Sequence, residues 1–301
     1  MWFLVFICML SVVGGVPINA TQEDTSHATD NVTTMSDVQK QGSVIPLNGT
    51  QNVTHHATGV LVSMLEPQRS SSETLEELED DLIVQEGDIL IPEDRNAVES
   101  LWLDATVPYT ISQDLTHRAF EIQAAFKMIS DVTCIRFTPH TTELNYIKFR
   151  SGKGCASYVG CVGGAQSVYY ASSCSVGNVC HELIHVLGLH HEHNRWDRDH
   201  YIYVKWSNIM PGKRNNFVVK RGDTQNLPYD LNSIMHYGEY YFSQDGSPTL
   251  LSKRRGVQMG QRSHLSELDV LRLNSLYHCE ERKRDALRHA LRHAGVNWHS
   301  P

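Results

Sequence analysis

Positive charge is scarce where a nucleic-acid binder would need it. The 301-residue sequence has 26 Lys and Arg against 34 Asp and Glu, a net charge of -8, and no extended basic stripe. That excludes the phosphate-binding footprint of a nucleic-acid partner. Long hydrophobic runs are missing too. After the apolar opening MWFLVFICMLSVV, no stretch approaches the roughly 20 residues that a membrane-crossing helix needs. Residues 73 to 94 contain no Lys or Arg, and no Asn-x-Ser/Thr sequon follows residue 95. What remains is 41% apolar and 20% charged, an ordinary balance for a globular domain with extensions.

The opening stretch is too short for a span and turns small and polar before Ala20. It is expected to be a secretory signal over residues 1–20, cut between Gly15 and Ala20, although it lacks a basic start. Secretion agrees with the cysteines. Cys8 leaves with the signal, and an even set remains: Cys134, Cys155, Cys161, Cys174, Cys180 and Cys279. An even set in an oxidising compartment reads as bridges, with connectivity open at this point.

Residues 21–95 read as a propeptide in two parts. The first is rich in Ser, Thr, Asn, Gln and His, too polar to bury a core, and expected to be disordered. It holds the sequons at Asn31, Asn48 and Asn52, expected glycosylation sites. The second is the acidic stretch 73–94, either a solvated linker or a segment lying in an electropositive cleft. A lone Arg95 follows, then Asn96, a suitable cleavage site for a trypsin-like protease.

Beyond Arg95 the pattern changes to alternating strands and amphipathic helices. VPYTIS (107–112), TCIRFTP, NYIKFRS and AQSVYYAS read as strands. Residues 114–130 place Leu115, Ala119, Ile122, Phe126 and Ile129 on one helical face. LSELDVLRLNSLYHC reads as a closing helix with Ser266 as N-cap and Asp269 placed for a capping box. An α+β catalytic domain over 96–280 is expected, followed by a basic, weakly amphipathic tail at 281–301.

The segment VCHELIHVLGLHHEHNRWDRD concentrates the chemistry. Asn178 reads as an N-cap, and Val179, Leu183, Val186 and Leu187 give an apolar stripe, so 179–187 is expected to be a helix. At about 100° per residue His181 and His185 sit on one face, one turn apart. Gly188 falls where a helix stops, and His191 returns three residues later. This H-E-x-x-H-x-x-G-x-x-H pattern would arise from residue frequencies in only about 2 of 10,000 such chains. It is the metzincin zinc motif. Three neutral imidazoles can hold Zn²⁺ and leave a fourth position for water, with Glu182 placed as general base. His190 and His193 do not match the spacing and read as surface neighbours. SIMHY (233–237) has the form of a Met-turn, with Met235 beneath the metal.

HELIHVLGLHHEHNRWDRD and SIMHY together resemble the astacin family of secreted zinc endopeptidases over roughly residues 86–279, and more weakly its fish hatching-enzyme branch. The resemblance implies a two-lobed fold, with a twisted sheet and the active-site helix above and an irregular lobe below that ends in a helix. It implies one Zn²⁺ on His181, His185 and His191, Glu182 as general base, and Tyr237 as an extra ligand that swings to the oxyanion. It implies a zymogen in which Asp88 of QEGD blocks the zinc. The family's Phe position is Gln85 here, which removes an apolar anchor. Cleavage after Arg95 would send the new N-terminus at Asn96 to Glu192. The family's bridges would be Cys134–Cys279 and Cys155–Cys174. Cys161 and Cys180 are then expected to pair, with a free Cys180 thiol as the alternative. Arg262 in GQR reads either as lining the pocket after the scissile bond, favouring acidic or small side chains, or as an ordinary surface arginine.

The resulting expectation is a monomeric, secreted enzyme, stored in granules or released directly, hydrolysing extracellular proteins after activation by a trypsin-like protease. An egg-envelope-digesting role is included in it. No nucleic acid, and no membrane after signal cleavage, is expected as a partner. A non-catalytic binding module and a zinc-storage or structural module are the competing readings; the presence of Glu182 and Tyr237 argues against the first, and the second predicts no chelator-sensitive activity.

Overall fold

The computed structural model describes Glu73 and residues 83–92 and 100–293. The signal, the three sequons, Arg95 and Asn96 lie outside the described residues. A seven-stranded sheet runs in the order β1-β2-β6-β7-β5-β3-β4. Its strands are β1 (Val84–Gln85), β2 (Ile89–Leu90), β3 (Thr106–Ile111), β4 (Arg136–Pro139), β5 (Tyr146–Arg150), β6 (Ala156–Tyr158) and β7 (Ala165–Tyr169). In β5, Ile147 and Phe149 are fully buried while Lys148 and Arg150 are exposed, the alternation a half-covered strand requires. β6 runs antiparallel to β7, and β2 adds to it in parallel, pairing Ile89 with Ser157 and Leu90 with Tyr158. The N-terminal segment therefore completes the sheet at an edge.

Helix α1 (Ala119–Ser130) packs Ile122, Ala125, Phe126 and Ile129 into the core. Its start is later than the periodicity predicts, because Gln113–Arg118 winds as a 3₁₀ turn. Helix α2 (Val176–Val186) carries the histidine motif and is buried from Gly177 onward, a central helix rather than a striped surface one. Its N-cap is Ser175, not Asn178. The Ser175 hydroxyl accepts from the Asn178 amide, and the Asn178 side chain returns the bond to the Ser175 N–H, a reciprocal box that starts the helix early. Gly188 takes φ +103° just past the helix, as expected of its position.

A second apolar cluster forms below the sheet from Ile202, Ile209, Phe217, Tyr229, Tyr237, Phe242, Leu250 and Met259. It is served by the short ribbon β8 (Ile202–Val204) with β9 (Leu250–Ser252), which sequence pattern did not reveal. Helix α3 (Glu267–Leu276) has the Ser266/Asp269 capping box, and α4 (Cys279–His293) continues the chain as an exposed helix through the assigned boundary at 280. The architecture is thus α+β with two lobes.

Two bridges close, Cys134–Cys279 and Cys155–Cys174. The expected Cys161–Cys180 pair does not: both are buried free thiols. Cys161 is held by backbone pairing with Ser100, while Cys180 is fixed in the core by α2, so closeness in sequence does not align their side chains for a bond. Among the described residues, no helix is long and apolar enough to cross a membrane.

Candidate active site

α2 presents His181 and His185 on one face, and the turn at Gly188 returns His191 to them. The Nε2 atoms of His191 and His185 lie 3.2 Å apart, and those of His191 and His181 3.3 Å apart. Asp88 Oδ2 completes the group at 3.1 Å from His191 Nε2 and 3.2 Å from His181 Nε2. A tetrahedral zinc with bonds of about 2.0 Å spaces its donors about 3.3 Å apart, so these four separations match its edges, while the approach of His185 Nε2 to Asp88 is longer, 3.9 Å to Oδ1. All four residues are buried.

The outer contacts fix which nitrogen faces inward. His181 Nδ1 lies 2.8 Å from the Ile234 carbonyl, His185 Nδ1 2.7 Å from the Leu189 carbonyl, and His191 Nδ1 2.8 Å from Glu86 Oε2. Each Nδ1 therefore donates its proton outward and leaves the Nε2 lone pair for the centre. Burial and the neighbouring imidazoles hold His185 well below its ordinary pKa, in the neutral ligand form. Glu86 is pulled down to about 2: burial opposes this, but His191 and Lys220 more than offset it. Two buried carboxylate oxygens at the centre, Asp88 Oδ1 and Glu182 Oε1, have no hydrogen-bond partner. Orphaned buried acceptors are costly, and a cation at the centre relieves that cost. The residues present fit one zinc ion.

Glu182 is fully buried beside the ligands. Ser157 Oγ donates to its Oε2 at 2.9 Å and also lies 2.9 Å from its backbone carbonyl, so strand β6 orients the carboxyl. Burial first, then the charges of Asp88 and Glu73, push the Glu182 carboxyl well above the usual range. The Tyr237 hydroxyl donates to the Glu86 carbonyl, and its ring stacks on His193 with centroids 3.7 Å apart. His193 is accordingly buried, not a surface neighbour; it lies in the second layer under Tyr237. Its pKa falls well below the ordinary value through burial and the nearby His191.

The 233–237 turn is hydrogen-bonded to the cluster. The Ile234 carbonyl holds His181, and the Met235 carbonyl accepts from the Glu192 N–H at 3.0 Å. Glu192 is held by Arg272 at 2.6 Å and Arg195 at 3.1 Å. It borders a cavity of about 570 Å³ whose lining includes Gly188, Leu189, Arg195, Arg272 and Leu276. Arg262 is not a surface arginine. It is largely buried and grips Glu73 through two bonds, Nε to Oε1 at 2.7 Å and Nη2 to Oε2 at 2.6 Å.

Sequence reasoning missed Glu73, Glu86, Ser157 and the second role of Asp269. Glu86 stands two residues before Asp88 in QEGD, and that proximity is a local signal. Ser157 and Glu73 carried none.

The fold and the three-histidine centre define a metzincin-type domain. Comparison with known proteins is more specific. Residues 94–278 match the family model of the astacin peptidases. The chain is 37% identical over 225 residues to zinc metalloproteinase nas-14 of Caenorhabditis elegans, covering 70% of this chain and 45% of that protein. It is 41% identical over 180 residues to the astacin-like metalloendopeptidase of Mus musculus, covering 58% and 41%. Among solved structures it resembles high choriolytic enzyme 1, a hatching enzyme zinc-protease from Oryzias latipes. That match has a TM-score of 0.57 and 35% identity, and covers 61% of this chain and 95% of the other. The chain belongs to the astacin family. It spans less than half the length of the two sequence relatives named.

Proposed function

We propose that this chain is a secreted zinc endopeptidase made in a latent form. The observation that carries the reading is the Asp88 carboxylate at the fourth corner of the three-histidine group. A carboxylate from the N-terminal segment then occupies the place a substrate needs. When bound, zinc supplies Lewis acidity that polarises a peptide carbonyl and eases deprotonation of water.

This chain's own residues do the rest. Glu182 takes the proton of the attacking water at its unpartnered Oε1 and delivers it to the departing amine. Departure of Asp88 and Glu73 removes the two charges that raise its pKa, leaving a carboxylate fit to act as base. Tyr237, released from the Glu86 carbonyl, donates to the developing oxyanion. Edge strand β6, cleared of β2, offers its backbone to an extended substrate. Arg262, left without Glu73, favours an acidic side chain in the residue after the scissile bond. After cleavage behind Arg95, the ammonium of Asn96 enters the cavity beside Glu192 and shares that carboxylate with Arg272.

Trypsin treatment of the purified chain tests this reading. Hydrolysis of casein is expected to rise on cleavage after Arg95 and to vanish with a zinc chelator; an Arg95→Gln chain should stay silent. A finer reading, a hatching-type enzyme acting on egg-envelope protein, is favoured by the likeness to the medaka enzyme. Release of soluble peptides from isolated egg envelopes by the activated form tests it.

A further inference from the structure

We propose that Arg262, Asn178 and Tyr241 form a second binding site for the pro-segment, a carboxylate pocket filled by Glu73, which holds the chain latent independently of Asp88. This inference rests on the latent-enzyme reading above and adds a separate anchor to it.

Glu73 is fully buried, though the sequence around it is acidic and polar. Both of its oxygens are engaged. The Arg262 fork meets them side on, Tyr241 Oη donates to Oε2 at 3.0 Å, and Asn178 Nδ2 donates to Oε1. A bidentate guanidinium–carboxylate pair demands one geometry, so the pocket recognises a carboxylate and not merely negative charge. The pocket is also built in advance. Arg262 Nη1 is fixed to the carbonyls of His236 at 3.1 Å and Gln261 at 2.9 Å. The Arg262 backbone packs on the first turn of α2 so closely that a Cβ at Gly177 would lie 1.7 Å from its carbonyl oxygen. Asn178 belongs to the same turn, and its other bonds are those of the capping box.

The two anchors sit side by side. Gly87, the neighbour of Asp88, takes φ +81°, and a Cβ there would lie 2.6 Å from the Glu73 carbonyl oxygen. Glu73 and Asp88 thus deliver two carboxylates to adjoining places in the cleft. The Gln85 side chain is exposed, whereas that of Glu73 is buried.

The test uses the intact chain, kept uncleaved by Arg95→Gln and checked by mass spectrometry, with hydrolysis of a quenched peptide as readout. Loss of charge-assisted bonds to a buried carboxylate is expected to raise the residual activity of Glu73→Gln about tenfold or more. Asp88→Asn is expected to rise as well, and the double variant to exceed either one. The control is internal. Glu73 lies in the part that activation removes, so trypsin-activated Glu73→Gln with Arg95 restored should match the wild type in kcat/KM. If that variant yields no activatable enzyme, Glu73→Asp, which keeps the charge but shortens the reach, replaces it with the same expected direction. A silent Glu73→Gln beside an active Asp88→Asn would overturn the second site and leave the latent-enzyme reading standing. An intact parent chain as active as the trypsin-treated one would overturn both.

Discussion

The Asp269 carboxylate accepts the Ile234 N–H at 2.9 Å, and the Ile234 carbonyl in turn receives His181 Nδ1 at 2.8 Å. The N-terminal box of α3 is therefore wired to a ligand of the metal centre. Asp269 also receives the Ser233 hydroxyl at 2.6 Å and the Ser266 N–H at 3.0 Å. Asp269→Ala removes the return half of the capping box and leaves buried donors unpaired, for a cost of about 3 kcal/mol. Urea unfolding should register that loss, and zinc affinity should fall with it because the Ile234 peptide, whose carbonyl fixes the His181 tautomer, loses its anchor. An unchanged zinc affinity would break the link.

Glu182 has no role in holding the metal, since the fourth corner is Asp88. Glu182→Gln should therefore fold and bind zinc like the wild type, yet lose peptide hydrolysis by about 100-fold or more. Activated chain and variant are compared on casein. Retention of activity would remove Glu182 as the base.

Acid should destabilise the fold through histidines that are buried neutral. Burial pulls His236 down to about 4 from its ordinary value of 6.5, and His193 shifts in the same direction. Below pH 6.5 the unfolded chain takes up protons that the native state refuses. Stability is complete above that pH and falls until the native pKa is reached. His236 alone accounts for about 2 to 3 kcal/mol lost by about pH 4.5. Denaturant midpoints from about pH 7.5 to about pH 4.5 should fall accordingly, and the slope should lessen in a His236→Asn chain. An equal slope in the variant would assign the acid sensitivity elsewhere.

Thiol chemistry follows from the bridges. Cys161 and Cys180 are free and nearly inaccessible, and burial raises the pKa of both. The native chain without its leader should give no reaction with a thiol reagent, and the denatured, unreduced chain should give two thiols per molecule. None after denaturation would mean that the two pair after all.

The helix–turn–histidine unit was legible because its spacing is itself the geometry: His181, His185, Gly188 and His191 each act where the period puts them. The Ser266 and Asp269 box was legible for the same reason, being local. The β8–β9 ribbon and the short strand β6 were not, since strands of three residues carry too little alternation to stand out. The N-cap of α2 is not legible locally because Ser175 and Asn178 are both good caps, and only their reciprocal bonding decides between them. His193 looked like a surface residue because nothing local announces that Tyr237 covers it. Glu73 and Ser157 act through contacts distant in sequence, where no pattern points.

Metal analysis of the purified chain reaches the centre of the account most directly. One zinc per molecule is expected in the wild type, with near-complete loss in His185→Ala. A wild-type chain that folds normally but carries no stoichiometric metal would contradict it.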